Sequence, residues 1–311
     1  MIEIEVPATS ANLGPGFDCL GLALSLSNIV RIEKDAKTTL KGCPPQWSGD
    51  DNLFLRSLRH ACSLLQIAIP EISVEFVTNI PPARGLGSSA SLAVAGAAAA
   101  IILNREAEAG IRGEYSALLH RPENLDFLLR VATDIEGHPD NAAPAVYGGF
   151  TAAAATGQEL IVSHSSAPAA WRFAACIPEF DLETSVARKV LPNTFSRSDA
   201  VHALSHAVLT ALAIQKADLA LLGRACEDRL HEPYRRPLVP DFEAVESACR
   251  AQHAAAVWLS GSGPTIMAVF EPSAPEDIDK KLASIIAQQA RYSWKIVVLH
   301  ADNQGIRAHK M

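Results

Sequence analysis

The sequence predicts an α+β protein of two subdomains with a cleft between them. Three observations support this prediction. The chain of 311 residues is long enough for two cores, strands and helices are segregated in both halves, and the composition changes around residues 156–170. The composition there shifts towards alanine and serine, with single glycine, glutamine and proline residues, as is typical of a domain boundary. We expect an N-terminal domain over residues 1–160 and a C-terminal domain over residues 161–311.

Hydrophobic periodicity identifies the elements of the first half. Residues 1–6 and 72–77 alternate apolar and polar side chains, which predicts half-buried strands. A dense run of alanine, leucine and isoleucine over residues 91–103 predicts a buried helix, and apolar positions indicate a second helix over about residues 122–135. Another strand is expected to begin within residues 147–151.

The second half repeats this mixture of strands and helices. We expect strands at residues 171–178, 255–260, 265–270 and 294–299, two or three helices between residues 198 and 253, and a helix over residues 275–292. A glycine turn at residues 261–264 connects two of these strands.

The composition favours a protein that acts on small molecules. Apolar residues make up 49% and charged residues 20% of the chain, and its net charge is −7. No overall basic field therefore attracts nucleic acid or an acidic membrane. The longest apolar run, residues 90–103, is shorter than the roughly 20 residues that span a bilayer. The N-terminus lacks the basic region of a secretory signal, so we expect a cytoplasmic protein.

The cysteines and histidines do not form a metal-binding pattern. The six cysteines are far apart in sequence and include no Cys-x-x-Cys pair, which is typical of reduced thiols in a cytoplasmic protein. His202 and His206 are four residues apart on a predicted helix, but the glutamate of a zinc protease motif is missing between them. We expect both to be ordinary core or surface histidines.

A glycine-rich loop between the strand at 72–77 and the helix at 91–103 is the strongest chemical feature of the sequence. It consists of Pro81, Pro82, Ala83, Arg84, Gly85, Leu86, Gly87, Ser88, Ser89, Ala90 and Ser91. Its glycines allow positive φ and a close approach of the backbone to a ligand. Its serines lie beside the unpaired N–H groups of the helix start. Such a loop is suited to an anion, and phosphate fits best.

Two common phosphate loops fit this segment poorly. The Walker loop requires a lysine after its last glycine, and neither glycine here is followed by one. Residues 85–90 satisfy the Gly-x-Gly-x-x-Ala pattern of dinucleotide-binding proteins. However, the acidic residue expected about 20 positions later falls in the polar tail of the same helix, which weakens this interpretation.

The loop resembles, at every defining position, the Pro-x-x-x-Gly-Leu-Gly-Ser-Ser-Ala loop of the GHMP small-molecule kinases. This resemblance implies that residues 81–91 bind ATP. It also implies an N-terminal domain like the second domain of ribosomal protein S5 and a ferredoxin-like C-terminal domain. Residues 259–265 match a further motif of the family, a glycine turn that approaches the nucleotide loop.

Three further segments, residues 7–24, 181–192 and 231–238, are similar to the homoserine kinase branch of the family. The similarity implies phosphorylation of the side-chain hydroxyl of L-homoserine and a homodimeric assembly. The implied substrate-binding residues are Asn12, Asp18, His138, Thr184, Arg188 and Arg235. A carboxylate and an amide on a glycine turn suit an ammonium group, and arginines can hold a carboxylate through two parallel hydrogen bonds.

The motif at residues 136–141 supplies the implied metal and catalytic residues. By resemblance, Glu136 and Ser89 coordinate Mg²⁺ through the hard oxygen ligands that this ion prefers, with Ser88 and Asp134 as alternatives. Glu136 is therefore one of the two implied catalytic residues, and Asn141 is the other.

Asn141 bears on the mechanism because galactokinase and mevalonate kinase have an aspartate there. That aspartate can accept the proton of the substrate hydroxyl, and an amide cannot. The resemblance therefore implies transfer without a side-chain base at position 141, with positioning and charge neutralisation lowering the barrier. Asp140 is the neighbouring carboxylate. Because successive residues on a helix point about 100° apart, we expect it to lie outside the site of Asn141.

Overall fold

The computed structural model describes residues 1–109, 114–157 and 159–311. Its strands are β1 (Ile2–Ala11), β2 (Leu20–Lys34), β3 (Thr39–Lys41), β4 (Ile72–Val77), β5 (Phe150–Thr156), β6 (Glu159–Ser165), β7 (Arg172–Pro178), β8 (Ala256–Leu259), β9 (Ile266–Phe270), β10 (Trp294–Leu299) and β11 (Arg307–Lys310). Its α-helices are α1 (Leu53–Leu65), α2 (Ser88–Ala109), α3 (Tyr115–Leu119), α4 (Pro122–Glu136), α5 (Pro139–Tyr147), α6 (Thr184–Lys189), α7 (Arg197–Gln215), α8 (Leu219–Ala225), α9 (Glu232–Arg235), α10 (Phe242–Ala251) and α11 (Ile278–Gln289).

The first sheet is built around the long antiparallel pair β1–β2. From one edge the strands follow the order β11, β1, β2, β4 and β3, and only the β3–β4 pair is parallel among these described strands. Besides β1, the 15 residues of β2 pair with two more strands. Residues 29–34 pair with β4, and residues 20–22 pair with β5, which in turn pairs with β6.

The sheets do not follow the predicted division at residue 160. β6 forms a hairpin with β5 in the first sheet, and β11 returns from the C-terminal end to pair with β1. The sequence pattern does not reveal β11, because this strand has four residues and two of them are exposed. Its position is set by the open edge of β1, where it satisfies backbone hydrogen bonds.

α2 is the central helix of the first core. It packs against α1, α4, α5 and the first sheet through a run of fully buried alanines. A Cβ at Gly96 would lie 2.3 Å from the carbonyl oxygen of Phe54, so the glycine allows α1 to approach closely. The segment Ser88–Glu106 is long and apolar enough to cross a membrane, but 72% of its apolar stretch is buried inside the protein. It is packed as a core helix.

The second sheet has the strand order β10-β7-β9-β8, and all its neighbours are antiparallel. With the helices that connect these strands, this order gives the ferredoxin-like arrangement, as the resemblance implies. α10 and α11 cover one face of the sheet, and their buried side chains include Phe242, Val245, Ile278 and Leu282.

The opposite face of the second sheet packs against the N-terminal domain. Phe173, Trp258 and Met267 share one core with Leu22 and Leu86. The indole N–H of Trp258 also donates to Ser10 Oγ at 3.0 Å. The two domains therefore share a buried core, and the cleft opens along its edge.

Candidate functional site

The cleft between the two domains has a volume of about 290 Å³. Of the predicted site residues, the structure brings together Asn12, Asp18, Ala83, Arg84, Gly85, Gly87, Ser88, Ser89, Glu136, His138, Asn141, Thr184, Arg188 and Arg235 as lining residues. Pro81, Pro82, Leu86, Ala90 and Ser91 are not among them. Leu86 lies in the shared core, and Ser91 accepts a buried hydrogen bond from Asn28.

The backbone of the glycine loop requires its two glycines. Gly85 has φ +72°, and a Cβ there would lie 2.3 Å from Ser260 O. Gly87 has φ +68°, and a Cβ there would lie 1.9 Å from Thr9 Oγ1 and 3.2 Å from Asn141 Oδ1. Both positions therefore combine a conformation that side chains disfavour with contact distances that leave no space for one.

α2 begins at Ser88, three residues before the predicted start, so both serines of the loop belong to its first turn. The N–H of Ser91 donates to Gly87 O, and the preceding N–H groups have no partner within the helix. These donors and the positive end of the helix dipole face the cleft beside the side chains of Ser88 and Ser89. The arrangement suits a phosphate group.

Arg84 connects the glycine loop to the C-terminal domain. Its Nε donates to Pro178 O at 2.9 Å, its Nη2 donates to Glu179 O at 2.7 Å, and its guanidinium forms an ion pair with Asp181. The hydroxyl of Ser260 donates to Gly85 O at 2.6 Å. The glycine loop, which belongs to the N-terminal domain, is therefore also held in place by the C-terminal domain.

The turn between α4 and α5 places three predicted site residues on one wall of the cleft. Gly137 ends α4 with φ +85°, and His138 is the N-cap of α5. The chain therefore reverses within two residues. Glu136 is the last residue of α4, and Asn141 lies in the first turn of α5.

Asp140 lines the same cleft as Asn141, so the expectation that it would lie outside this site is wrong. Both residues lie in the first turn of α5, where the cleft covers the end of the helix rather than one of its sides. Successive side chains can therefore both reach it. Asp140 Oδ1 is 2.5 Å from His138 Nδ1 and 3.5 Å from Asn141 Nδ2. Burial opposes protonation of His138, but Asp140 outweighs this effect and raises the pKa of the imidazole.

Asn141 is held against the glycine loop. Its Oδ1 accepts a hydrogen bond of 2.7 Å from Thr9 Oγ1, the same hydroxyl that lies next to Gly87. The absence of a side chain at Gly87 is what allows Thr9, Asn141 and the loop to come together. Thr9 is a residue whose role the sequence pattern does not indicate.

Ser89 and Glu136 form the oxygen pair that the resemblance assigned to Mg²⁺. Ser89 Oγ donates to Glu136 Oε1 at 2.5 Å, and both residues line the cleft. Burial raises the pKa of Glu136, and the hydrogen bond from Ser89 partly offsets this rise. Two hard oxygens beside a phosphate-binding helix start fit Mg²⁺. The alternative, Asp134, does not line the cleft, and its carboxylate lies 2.9 Å from His60 Nε2.

Asp18 and Arg188, which were expected to bind opposite ends of a substrate, are paired with each other. Arg188 donates two hydrogen bonds to the two carboxylate oxygens of Asp18, at 2.7 and 3.1 Å. Burial acts against the charge of Arg188, but Asp18 raises its pKa. Asn12 accepts from the N–H of Asp18 at 3.0 Å and donates to Gly261 O at 2.9 Å. Asn12 thus fixes the turn that carries Asp18.

Arg235 is only 1% exposed, which is unusual for an arginine. It donates to Ala187 O at 3.2 Å, to Gly261 O at 3.1 Å and to His231 Nδ1 at 3.2 Å. Because Nδ1 accepts this bond, the ring proton of His231 lies on Nε2 and is donated to Gly14 O at 2.9 Å. Burial lowers the pKa of Arg235 to about 10 and also lowers that of His231.

Phe17 separates the two arginines that face the cleft. Its ring centroid lies 5.9 Å from the guanidinium carbon of Arg188 and 5.2 Å from that of Arg235. It also stacks on His231 at 5.3 Å. An aromatic face at this distance attracts both cations and limits their rotation. The sequence contains this residue beside Asp18, but only the fold shows that it contacts both arginines.

Thr184 lies at the first position of α6, on the side of the cleft formed by the C-terminal domain. Its hydroxyl is 3.2 Å from the hydroxyl of Ser262. Ser262 belongs to the glycine turn 261–264, which also bonds to the N-terminal domain through the N–H of Gly261 and Ala11 O at 3.1 Å. The structure therefore adds Ser262 to the residues that face the cleft.

Two buried acidic residues, Asp228 and Glu232, hold the short helix α9, which carries Arg235. Asp228 accepts the N–H groups of His231 and Glu232, both at 2.7 Å, and so fixes the start of α9. Glu232 accepts from the N–H of Leu259 at 2.8 Å. Burial raises the pKa of Glu232 to about 7, and the neighbouring charge of Asp228 contributes to this rise.

Glu232 should make the stability of the protein depend on pH. Its pKa is raised from 4.5 to about 7, so between these values the folded chain holds a proton that the unfolded chain has released. The free energy of unfolding should therefore fall as pH rises through this window, by about 3 kcal/mol at most from this group. Urea unfolding at pH 5 and pH 8 measures the effect.

Glu232→Gln is the matched variant, because it keeps an acceptor for the N–H of Leu259 and cannot ionise. We expect the variant to lose less stability than the wild type between pH 5 and pH 8. An equal loss in both proteins would contradict the assignment to Glu232.

Two family models match this chain. The model described as the GHMP kinases N terminal domain matches residues 52–149, and the one described as GHMP kinases C terminal matches residues 210–287. A homoserine kinase from Clostridium botulinum is 33% identical over 306 residues, covering 98% of this chain and 97% of its own. One from Desulfitobacterium hafniense is 36% identical over 309 residues, covering 98% and 99%.

Solved structures show the same relation. The homoserine kinase from Cytophaga hutchinsonii superposes with a TM-score of 0.78 and 26% identity, covering 99% of this chain and 96% of its own. The mevalonate kinase of Methanococcus jannaschii reaches a TM-score of 0.66 at 13% identity, covering 97% and 98%. At that identity the likeness concerns the fold alone.

Proposed function

This chain belongs to the GHMP kinase family and has the activity of a homoserine kinase, and on that premise we propose a role for each residue of its cleft. The reaction transfers the γ-phosphoryl group of ATP to the side-chain hydroxyl of L-homoserine. The observation that carries the proposal is the composition of the cleft. A helix start with unpaired N–H groups lines it, together with the carboxylate of Asp18 and two arginines that belong to α6 and α9.

We assign the phosphates of ATP to the glycine loop. The N–H groups at the start of α2 are the donors, and residues 85–87 provide the space next to the backbone. The hydroxyl of Ser88 donates to Ile80 O at 3.3 Å in this structure and would turn to the phosphates when they bind. Mg²⁺ would be held by Ser89 and Glu136, where it would neutralise phosphate charge. A bound cation would also favour the ionised form of Glu136, whose pKa burial raises.

The amino-acid end of the substrate is assigned to the opposite wall. A zwitterion can exchange with the Asp18–Arg188 pair, because its ammonium can take the place of the guanidinium on Asp18 while its carboxylate binds Arg188 and Arg235. Asn12 holds Asp18 in place, and Phe17 holds the two arginines. Mevalonate has no ammonium group and would leave Asp18 unpaired.

The hydroxyl of the substrate is assigned to the start of α5. Asn141 would align it with the γ-phosphorus, while His138 and Thr184 border the space that the substrate occupies. The hydroxyl oxygen forms a bond to phosphorus as the bond from phosphorus to the bridging oxygen of ADP breaks, and the hydroxyl proton passes to an oxygen of the transferred phosphoryl group or to solvent. No side-chain base at position 141 is required, since a loose transition state depends mainly on alignment and charge neutralisation. The nearby carboxylate of Asp140 is engaged by His138.

An ADP-release assay tests the proposed function. Purified protein, ATP and Mg²⁺ are combined with L-homoserine, L-threonine, L-serine or mevalonate, and ADP is measured with a coupled enzyme. We expect L-homoserine to give the highest kcat/KM. Turnover of mevalonate at a rate equal to that of L-homoserine would contradict the role of the ammonium-binding carboxylate.

Substitutions at positions 140 and 141 test how the hydroxyl is activated. Asp140→Asn keeps the shape of the side chain and should retain more activity than Asn141→Leu, which removes the alignment of the hydroxyl and leaves Thr9 Oγ1 without its acceptor. The measurement is kcat with both substrates saturating. The reverse order of activities would show that Asp140 acts as a base.

We also infer a cytoplasmic location, because all six cysteines are free thiols. The thiols of Cys176 and Cys249 lie near each other, with a buried Sγ–Sγ distance of 3.9 Å.

A further inference from the structure

The side-chain amide of Asn141 has a defined orientation in the cleft. Its Oδ1 faces the glycine loop, where it lies 2.7 Å from Thr9 Oγ1 and 3.2 Å from the position that a Cβ at Gly87 would occupy. Its Nδ2 lies 3.5 Å from Asp140 Oδ1, so one N–H of the amide is directed at that carboxylate. The second N–H has no partner among the described residues and remains for a ligand in the cleft that Asn141 lines.

Two neighbours of Asn141 decide this orientation. Thr9 is fully buried, and its hydroxyl donates its single proton to Asn141 Oδ1. Turning the amide over would leave that proton facing an N–H group and would place Oδ1 against the carboxylate of Asp140. Asp140 is itself held in place, because it is 2% exposed and its Oδ1 lies 2.5 Å from His138 Nδ1. The reversed amide is therefore disfavoured on both sides.

This orientation decides which group Asn141 offers to the substrate. We propose that Thr9 and Asp140 are positioning residues that present the free amide N–H of Asn141 to the substrate hydroxyl, a role that rests on the proposed function. The hydroxyl oxygen accepts this bond through one lone pair, so its other lone pair can face the γ-phosphorus while its proton stays free to leave. Thr9 does not line the cleft and acts only through Asn141.

The same contacts give a reason why position 141 holds an amide rather than a carboxylate. An aspartate there would put a carboxylate oxygen where the amide nitrogen now lies, 3.5 Å from Asp140 Oδ1. Like charges at this distance repel strongly in a buried site, so one carboxylate would have to move or hold a proton. The N–H group for the substrate would also be lost. Asp140 therefore excludes a carboxylate base from position 141.

Exchanging the residues at positions 140 and 141 tests the role of Asp140. Asn141→Asp alone should lower kcat by about a hundredfold or more, because it creates the repulsion. Adding Asp140→Asn removes the repulsion and should recover about tenfold or more of that loss. The matched control combines Asn141→Asp with Glu183→Gln, which restores the net charge at a position next to Thr184 that does not line the cleft. This control should recover nothing.

Three results of the exchange would overturn the role of Asp140. They are a wild-type kcat in Asn141→Asp, no gain from adding Asp140→Asn, and an equal gain from adding Glu183→Gln. Thermal unfolding shows whether each variant is folded. The variants at Thr9 decide the proposal if Asn141→Asp does not fold.

A double-mutant cycle tests the role of Thr9. Thr9→Val removes the hydroxyl at nearly constant volume and should lower kcat by about tenfold with the KM for ATP unchanged. Thr9→Ser keeps the donor and should restore most of the activity. In the Asn141→Leu background, Thr9→Val should have no further effect, because the amide that it orients is gone. Additive losses in the double variant, or equal kcat for Thr9→Val and Thr9→Ser, would overturn the role of Thr9.

All variants are compared with the wild type in the ADP-release assay, on the hydroxyl compound that the wild type phosphorylates fastest. Failure of the wild type with L-homoserine would count against the proposed function. The ratios of kcat between the variants would still decide whether Thr9 and Asp140 orient the amide of Asn141.

Discussion

Gly87→Ala is expected to reduce kcat/KM by at least about a hundredfold, because catalysis is sensitive to displacements of about 1 Å. The added methyl group would lie 1.9 Å from Thr9 Oγ1, and the backbone at φ +68° disfavours any side chain. The loop must therefore move away from Thr9, and Asn141, which bonds to the same hydroxyl, would move with it. One methyl group would displace both the phosphate donors and the residue assigned to the substrate hydroxyl.

The matched control is Gly157→Ala. Gly157 has φ +64°, close to that of Gly87, but among the described residues no atom beyond Gly157 and its chain neighbours lies within 4 Å of the position that its Cβ would occupy. This variant carries the backbone strain without the clash and should keep its activity within a few-fold of the wild type. Kinetics with both substrates, together with thermal unfolding to confirm folding, measure the difference. Similar activity of the two variants would show that the contact with Thr9 is unimportant.

Arg188→Met is expected to raise the KM for L-homoserine by about thirtyfold to several thousandfold while the affinity for ATP changes little. Removing one member of a charge-assisted pair with a substrate carboxylate costs about 2–5 kcal/mol of binding. The effect should be confined to the amino acid, because Arg188 donates its hydrogen bonds to Asp18 rather than to a residue of the glycine loop.

Lys189→Met provides the control, since it removes a positive charge from the next residue of α6, an exposed position outside the cleft. We expect little change in either KM for this variant. Isothermal titration with the two ligands would separate the effects directly. Equal weakening of ATP and homoserine binding by Arg188→Met would contradict the assignment of this arginine to the carboxylate.

The segments that the sequence alone identifies are those in which neighbouring residues determine the geometry. The glycine loop is one example, because its positive φ angles and close contacts require glycine at positions 85 and 87. The second sheet is another, since its four strands are marked by runs of apolar residues. The helices α2, α4 and α11 were also expected, with ends that differ by a few residues.

The arrangement of charges within the cleft could not be predicted in the same way. Asp140 was expected outside the site because helix periodicity describes the sides of a helix, and here the cleft covers its end. Asp18 and Arg188 are 170 residues apart, so no local pattern relates them. The contacts of Phe17 with two arginines and of His231 with Gly14 likewise depend on how the domains pack.

The kind of chemistry can therefore be inferred from the sequence alone, because backbone geometry and side-chain type are local properties that a motif records. The pairing of charges in the cleft and the place of β11 in the first sheet become visible only in the folded protein. These features depend on contacts between residues far apart in the chain, and burial of the shared core fixes those contacts.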